Sequence, residues 1–182
     1  MRRRILIPLL LSMLLLCGCG DRSLIMTVDI LSFMDPGSRA SSYGPIIGPL
    51  PVDTVTVVSD TLNLLQGIGD VTTVTSASLK IGASFDNTSG AASGRFLIYI
   101  APADSGDAFS APPLADIPVV LSSGTITNVS TQIDSSPTLA AALTRDKAQL
   151  GIRLVLNGIT GVLQGTETLT ELKATVIAQK SL

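Results

Sequence analysis

The ten residues from Ser76 to Phe85 alternate between two kinds of side chain. Ala, Leu, Ile, Ala and Phe occupy the odd positions, and Ser, Ser, Lys, Gly and Ser occupy the even ones. A period of two over ten residues places one row of side chains in a core and the other row in water. This stretch therefore predicts a strand of an antiparallel sheet.

Further runs of β-forming residues recur along the chain, with turn residues between them and no regular strand–helix alternation. Asp86 to Gly94 reads as a polar turn that joins Ser76–Phe85 to Arg95–Ala101 in a hairpin. The pattern predicts an all-β fold, an antiparallel two-sheet β-sandwich with an immunoglobulin-like layout; a small β-barrel is the alternative. The remaining strands are expected at Leu24–Phe33, Val52–Val58, Ile117–Leu121, Thr125–Ile133, Leu150–Leu156 and Thr166–Gln179, with a short strand or turn at Thr61–Leu65.

One short helix is expected among these strands. Ser136 followed by Pro137 is typical of an N-cap and a first helical residue. The helix would run from Thr138 to about Lys147. Asn157-Gly158, further on, predicts a tight turn.

The first nineteen residues have the layout of an export signal. Arg2, Arg3 and Arg4 precede an apolar run from Ile5 to Leu16. That run is within the ~7–15 residues of a signal core and shorter than the ~20 that a membrane-spanning helix needs. Leu16-Cys17-Gly18-Cys19 then resembles the lipobox of bacterial lipoproteins.

This resemblance implies cleavage before Cys19 and a diacylglycerol on its sulfur. Cys19 is a better lipid site than Cys17, because small Gly18 precedes it and Leu16 lies three positions back. Gly20, rather than Asp, after the cysteine implies sorting to the outer membrane in a Gram-negative cell. The alternative is an ordinary secretory signal with two incidental cysteines. We therefore expect a signal peptide over residues 1–18, an anchor and tether over 19–23, and a β-sandwich domain over 24–182.

The mature chain would carry few charges and few groups suited to catalysis. Loss of three arginines leaves nine Lys and Arg against 14 Asp and Glu, a net charge of −5, with no basic run. Nucleic acid is therefore not an expected partner. His is absent, and no Cys follows Cys19, which excludes His-based triads and Cys-based or His-based metal sites. We expect no catalytic residues, no metal and no cofactor, although a Ser–Lys dyad stays open.

The two glutamates, Glu167 and Glu171, could suggest a paired-carboxylate site. On one regular strand they would share a face about 13 Å apart, farther than the roughly 5–9.5 Å of a glycosidase pair. Lys173 is expected on the same face. The pattern favours solvated surface charges.

Two long loops are expected, at Asp35–Pro51 and Pro102–Asp116. Loops of this length are often functional, so they are the predicted partner surfaces. Tyr43 and Phe109 would be their aromatic anchors, unless both rings fold back onto the sandwich. Asp104 and Asp107 belong to the same predicted surface, and with Asp116 they could bind calcium or simply stabilise a turn.

These observations indicate a non-enzymatic, membrane-anchored lipoprotein of the cell envelope with a structural or protein-interaction role. Its partners would be the membrane, through the lipid on Cys19, and another envelope protein. A second hypothesis is a binder of an apolar ligand between the sheets, where the small residues Ala77, Ala83, Ala174 and Ala178 would leave room. A hydrolase is the third and weakest.

Overall fold

The computed structural model describes residues 22–48, 52–58, 73–143 and 148–180. Within them the chain forms seven antiparallel strands, one short α-helix and three 3₁₀ turns. The all-β prediction is therefore confirmed. The elements are β1 (Arg22–Asp29), β2 (Ala40–Ile47), β3 (Val52–Val58), β4 (Thr73–Pro102), β5 (Ala115–Leu121), β6 (Thr125–Ile133), α1 (Pro137–Leu143) and β7 (Ala148–Lys180), with 3₁₀ turns at Ile30–Phe33, Pro36–Arg39 and Ala103–Ser105.

Two very long strands, β4 and β7, form the centre of the fold. They contain 30 and 33 residues and pair from Thr73 opposite Gln179 to Pro102 opposite Ala148. All five other strands pair with one of these two: β1, β2 and β3 with β7, and β5 and β6 with β4. The β4–β7 ladder is thus the frame to which every other strand is added.

This long ladder is bent back on itself. The rings of Phe85 and Phe96 are eleven residues apart in β4, yet their centroids lie 5.5 Å apart in an edge-to-face contact. A straight strand would separate them by about 36 Å. Between them the ladder shifts register three times, from Asn87 to Ser93, and bulges of this kind bend a strand. The two halves of the ladder therefore lie face to face.

The bend divides the strands into the two sheets of a sandwich. The first sheet contains β6, the start of β4, the end of β7, and β1 and β2 in succession along the same edge of β7. The second sheet contains β5, the end of β4, the start of β7, and β3. The sheets share β4 and β7, so the prediction of a two-sheet sandwich holds, with continuous strands passing from one sheet to the other.

The inner faces carry the apolar rows that the alternation predicts. Phe85, Leu79 and Ile81 are fully buried, as are Leu150 and Leu154. Each such Leu, Ile or Phe side chain contributes roughly 1.5–3 kcal/mol by leaving water. Further buried members of these rows are Ala77, Ala83, Ile152, Leu156, Leu172, Ala174, Val176 and Ala178.

Helix α1 closes one end of the sandwich. The Ser136 hydroxyl accepts a hydrogen bond from the Leu139 amide at 3.2 Å, and Pro137 is the first helical residue, as the sequence predicts. Leu139 and Ala142 are buried, while the Ser136 amide donates to the Ala77 carbonyl. The helix is thereby attached to the start of β4. Its expected continuation to Lys147 lies outside the described residues.

The predicted hairpin at Asp86–Gly94 is wrong. Those residues continue β4 through the bend, and Arg95–Ala101 pairs with β5 and β7 rather than with Ser76–Phe85. Likewise β7 passes through Asn157-Gly158 without a hairpin, with Gly158 at φ 59°. Polar and glycine residues at these points allow a bend as well as a turn.

The predicted loop at Asp35–Pro51 is also wrong in part. A 3₁₀ turn begins at Pro36, and β2 then pairs with β7 from Ala40 to Ile47. Pro45 is accommodated because the register shifts between Tyr43 and Ile46, where a strand tolerates a residue without an N–H. The predicted element at Thr61–Leu65 lies outside the described residues.

We expect Gly94→Ala to destabilise the fold by roughly 3 kcal/mol, the upper end of the range for overpacking. A Cβ at Gly94 would overlap the carbonyl oxygen of Val155 and lie 2.9 Å from Leu156 Cδ2. Gly37→Ala is the matched control, since its Cβ would meet only Asp35 Oδ1, at 3.7 Å. Urea denaturation measures both, and equal midpoints for the two variants would contradict the close approach of β4 and β7.

Candidate functional site

The loop that follows β4, residues 103–114, contains Asp104, Asp107 and Phe109, three of the residues predicted to form a partner surface. Asp104 is exposed in the 3₁₀ turn at the start of this loop. The Asp107 carboxylate accepts a hydrogen bond from the Phe109 amide at 2.8 Å, and the Asp107 carbonyl accepts one from the Ser110 hydroxyl at 2.8 Å. Asp107 therefore stabilises a turn, one of the two roles left open by the sequence.

The three aspartates considered for calcium are not held together. Arg95 Nε donates to Asp116 Oδ1 at 2.8 Å, and Arg95 Nη2 contacts the other carboxylate oxygen. This ion pair joins β4 to β5 and leaves Asp116 engaged on the outer face of the sheet. Within the described part of the chain, no group of three or more His, Cys, Asp or Glu side chains is placed to bind a metal ion.

Phe109 folds back onto the second sheet. Its ring centroid lies 5.1 Å from that of Tyr99, and the Arg153 guanidinium carbon lies 4.5 Å from the Phe109 centroid. Gly151 makes room for the ring, because a Cβ there would lie 2.9 Å from Phe109 Cε1. A cation–π contact of this kind contributes about 0.5–1 kcal/mol at a partly exposed site. The loop is therefore fixed to the sheet by its aromatic residue.

Tyr43 is not on a loop. It lies in β2 with its side chain only 4% exposed. The ring is therefore not an exposed anchor, and the alternative that it packs onto the sandwich is the one the structure has. Its hydroxyl donates to Asn87 Oδ1 at 3.3 Å, and Asn87 Nδ2 donates to the Gly90 carbonyl at 2.8 Å. These bonds connect β2 to the bend of β4. A β-strand forms here because β7 provides a partner that the sequence of this segment alone does not show.

Glu167 joins Tyr43 and Asn87 in what we call the buried polar cluster. Glu167 is 3% exposed and Asn87 is fully buried. In the ladder, Glu167 lies between Ser41 and Phe85, and the neighbouring Gly165 lies between Tyr43 and Asn87. A Cβ on Gly165 would overlap the Tyr43 hydroxyl, so only glycine leaves room for the phenol. Three strands thus bring three polar side chains together inside the sandwich.

The prediction that both glutamates are solvated surface charges is therefore wrong for Glu167. Glu171 does lie on the outer face. Ala83 pairs with Leu169 but Gly82 pairs with Glu171, which leaves Thr170 as an extra residue in β7. This bulge reverses the inward and outward alternation. The two glutamates consequently point to opposite faces, although they are four residues apart.

The two environments shift the glutamate pKa values in opposite directions. Burial raises the pKa of Glu167 to about 7, because an ionised carboxylate loses its hydration there. Burial also raises the pKa of Tyr43 to about 12, with smaller contributions from the charges of Asp86 and Glu167. The pKa of Glu171 is lowered, chiefly by its hydrogen bond to Lys80, whose Nζ lies 3.0 Å away. The cluster can therefore take up or release a proton near neutral pH.

Two open clefts, each of about 480 Å³, lie beside α1. The first is lined by Val74, Ser76 and Ser136, among others. The second is lined by residues that include Ile100 and Ala142. Both clefts are at the helix-capped end of the sandwich, and neither is lined by the large buried side chains such as Phe85 and Phe96.

Comparison with known proteins does not assign this chain to a family. No protein-family model matches it, and no curated protein matches its sequence. Structures of the Gx and Gt strains of infectious bursal disease virus align over 88% and 90% of this chain, at 16% and 14% identity and TM-scores of 0.43 and 0.46. The dimeric latent PorU of Porphyromonas gingivalis aligns over 90% at 9% identity and a TM-score of 0.33. The chain covers 37%, 38% and 14% of those chains.

Cys19, the predicted lipid site, lies outside the described residues, as does the whole predicted signal. Among the residues that are described, no helix is long and apolar enough to cross a membrane.

We predict that stability falls between about pH 4.5 and pH 7 because of Glu167. The unfolded chain releases this proton near pH 4.5, whereas the folded chain keeps it until about pH 7. The protonated Glu167 therefore contributes to the free energy of unfolding in full below pH 4.5. This contribution is lost as the pH rises through 7, by roughly 3 kcal/mol in total.

Glu167→Gln isolates this effect, because the amide stays neutral. We expect the variant to exceed the wild type in unfolding free energy above pH 7 and to match it near pH 4.5. Glu171→Gln is the control and should lack this gain, since the pKa of Glu171 is lowered. Urea denaturation at several pH values measures all three proteins, and parallel curves for Glu167→Gln and wild type would contradict the burial of a titrating carboxyl.

Proposed function

We propose that this protein is a lipid-anchored lipoprotein of the cell envelope with a structural or protein-interaction role. The observation that carries the proposal is the N-terminal pattern: Arg2–Arg4, the apolar run, and Leu16-Cys17-Gly18-Cys19. Two or three acyl chains on Cys19 would hold the domain stably at a membrane, since one chain alone binds only marginally.

The start of the folded domain supports a position close to the bilayer. Strand β1 begins at Arg22, inside the tether expected over residues 19–23. Only Gly20 and Asp21 separate it from Cys19, so the link spans at most about 11 Å. Since Gly20 follows the lipid site, the outer membrane is the proposed location in a Gram-negative cell.

An interaction role suits the surface better than catalysis does. The loop at residues 103–114 is fixed by Asp107 and Phe109 and presents an ordered surface beside the second sheet. The buried polar cluster contains a carboxyl and a phenol, but Tyr43 and Asn87 use their polar groups to join β2 to the bend. That arrangement favours a positional role over a chemical one.

Binding of an apolar ligand is the second candidate. The clefts beside α1 favour it, because small residues such as Ala140, Ala141 and Ala111 line them. The space between the sheets offers less support, since Phe85, Phe96, Leu79 and their neighbours fill it. Any such ligand would therefore bind at the end of the sandwich.

Lipid attachment is tested by replacing each cysteine separately. We expect Cys19→Ala to abolish labelling by a radioactive or clickable fatty acid and to release the protein from washed membranes. Cys17→Ala is the matched control and should keep both label and membrane association. Full labelling of Cys19→Ala would contradict the assignment, and a wild-type protein without label would favour the secretory signal.

A further inference from the structure

Strand β6 is an edge strand without the usual protection against further pairing. It pairs with β4 along its whole length, from Thr125 opposite Asn87 to Ile133 opposite Leu79. Its other edge has no strand partner among the described residues. Proteins usually protect such edges with Pro, charges or bulges, because unpaired N–H and C=O groups are a template for another strand.

The other described edge strands carry these protective features. Strand β5 contains Pro118 and Asp116, and β2 contains Pro45 within a bulge. Strands β1 and β3 contain charged residues. Strand β6, with the sequence TITNVSTQI, contains no Pro, no Gly and no charge over nine residues. It is also regular, because its register with β4 has no shift.

The side chains of β6 are partly or fully accessible to solvent. None of its nine residues is fully buried: Thr125 is exposed, and from Ile126 to Ile133 the side chains alternate between exposed and half-buried. Ile126 is 65% exposed, and Val120 on the adjacent β5 is 66% exposed. The Thr127 hydroxyl, which donates to the Val120 carbonyl at 3.1 Å, holds these two strands together. Two exposed apolar side chains, Val120 and Ile126, thus lie where the end of β5 meets the start of β6.

We propose that β6 pairs antiparallel with β6 of a second copy of this chain. The first sheet of one copy and the first sheet of the other then form a single continuous sheet. A two-fold axis through Val129 places Thr127 opposite Thr131 and Asn128 opposite Ser130 of the other copy. Every cross-strand pair is then uncharged, and Thr–Thr pairs are favourable in sheets. A symmetric interface needs such self-complementarity, and the sequence of β6 supplies it.

The pairing also determines how two anchored copies would lie. Antiparallel strands put the two β1 starts, and hence the two Cys19 anchors, at opposite ends of the joined sheet. With a link of at most about 11 Å, both anchors reach one bilayer only if the strands run along its surface. This consequence depends on the proposed lipid anchor, whereas the dimer itself does not.

The test uses charge at the two outward positions of the proposed pair. Asn128 and Ser130 are exposed, so the fold should tolerate charge there. We expect the mature wild-type protein, purified in detergent, to be a dimer by sedimentation equilibrium. Asn128→Lys/Ser130→Lys should place lysines opposite lysines and weaken the dimer at least about tenfold, and Asn128→Glu/Ser130→Glu should do the same.

Mixing the two variants should restore dimers, now containing one copy of each. Thr160→Lys/Gln164→Lys is the control: it adds the same charge at exposed residues of β7 and should leave the dimer intact. Circular dichroism checks that every variant is folded. A monomeric wild type, a lysine variant that still dimerises, or a mixture that stays monomeric would each overturn the proposal. A monomeric wild type that still carries lipid would leave the lipoprotein assignment standing.

Discussion

The structure depends on one physical constraint, the bend in the ladder between β4 and β7. These two strands supply partners for all five others. Without the bend they would form a ribbon with both faces in water, and such a ribbon has little stability of its own. Folding the ribbon in half places its apolar rows against each other, and the edge-to-face contact of Phe85 with Phe96 marks where the halves meet.

The buried polar cluster follows from the same bend. Asn87 bonds to the Gly90 carbonyl within the bulged segment, and Tyr43 bonds to Asn87 from the neighbouring strand β2. The Asn87 carbonyl also accepts the Gly124 amide, which precedes β6. One side chain and its backbone therefore connect the bend to strands on both sides. The same arrangement buries the carboxyl group of Glu167 beside them, where its ionised form is destabilised.

The sequence predicts the local features of this fold and misses those that depend on distant partners. Period-two alternation identifies Ser76–Phe85 and its buried row, and Ser136-Pro137 identifies the helix start, because each signal lies within a few residues. The bend is missed because polar and glycine residues suit a hairpin equally well. Glu167 is missed because the bulge at Thr170 is created by pairing with β4. The change of the buried row from odd positions, such as Leu169, to even ones, such as Leu172, becomes clear only with that pairing.

In the candidate site, too, features set by nearby residues are predictable from the sequence, and those set by distant strands are not. Asp107 shapes its own turn through a bond to Phe109 two residues away, a role open to sequence analysis. Tyr43 becomes buried only because β7 and Asn87 are brought to it. The uncharged edge of β6 is visible in the sequence, but its exposure becomes clear only when the ladder shows which strand lies beside it. The anchor at Cys19 stays a proposal from sequence alone.

The most direct measurement of the bend is the nuclear Overhauser effect between the rings of Phe85 and Phe96. The chain has four phenylalanines, so a sample with labelled phenylalanine gives a simple spectrum, and Phe85→Leu assigns the signals. A centroid separation of 5.5 Å predicts a strong ring-to-ring cross-peak. A straight ribbon would hold the rings about 36 Å apart, so a folded sample with both rings assigned and no cross-peak would contradict the account.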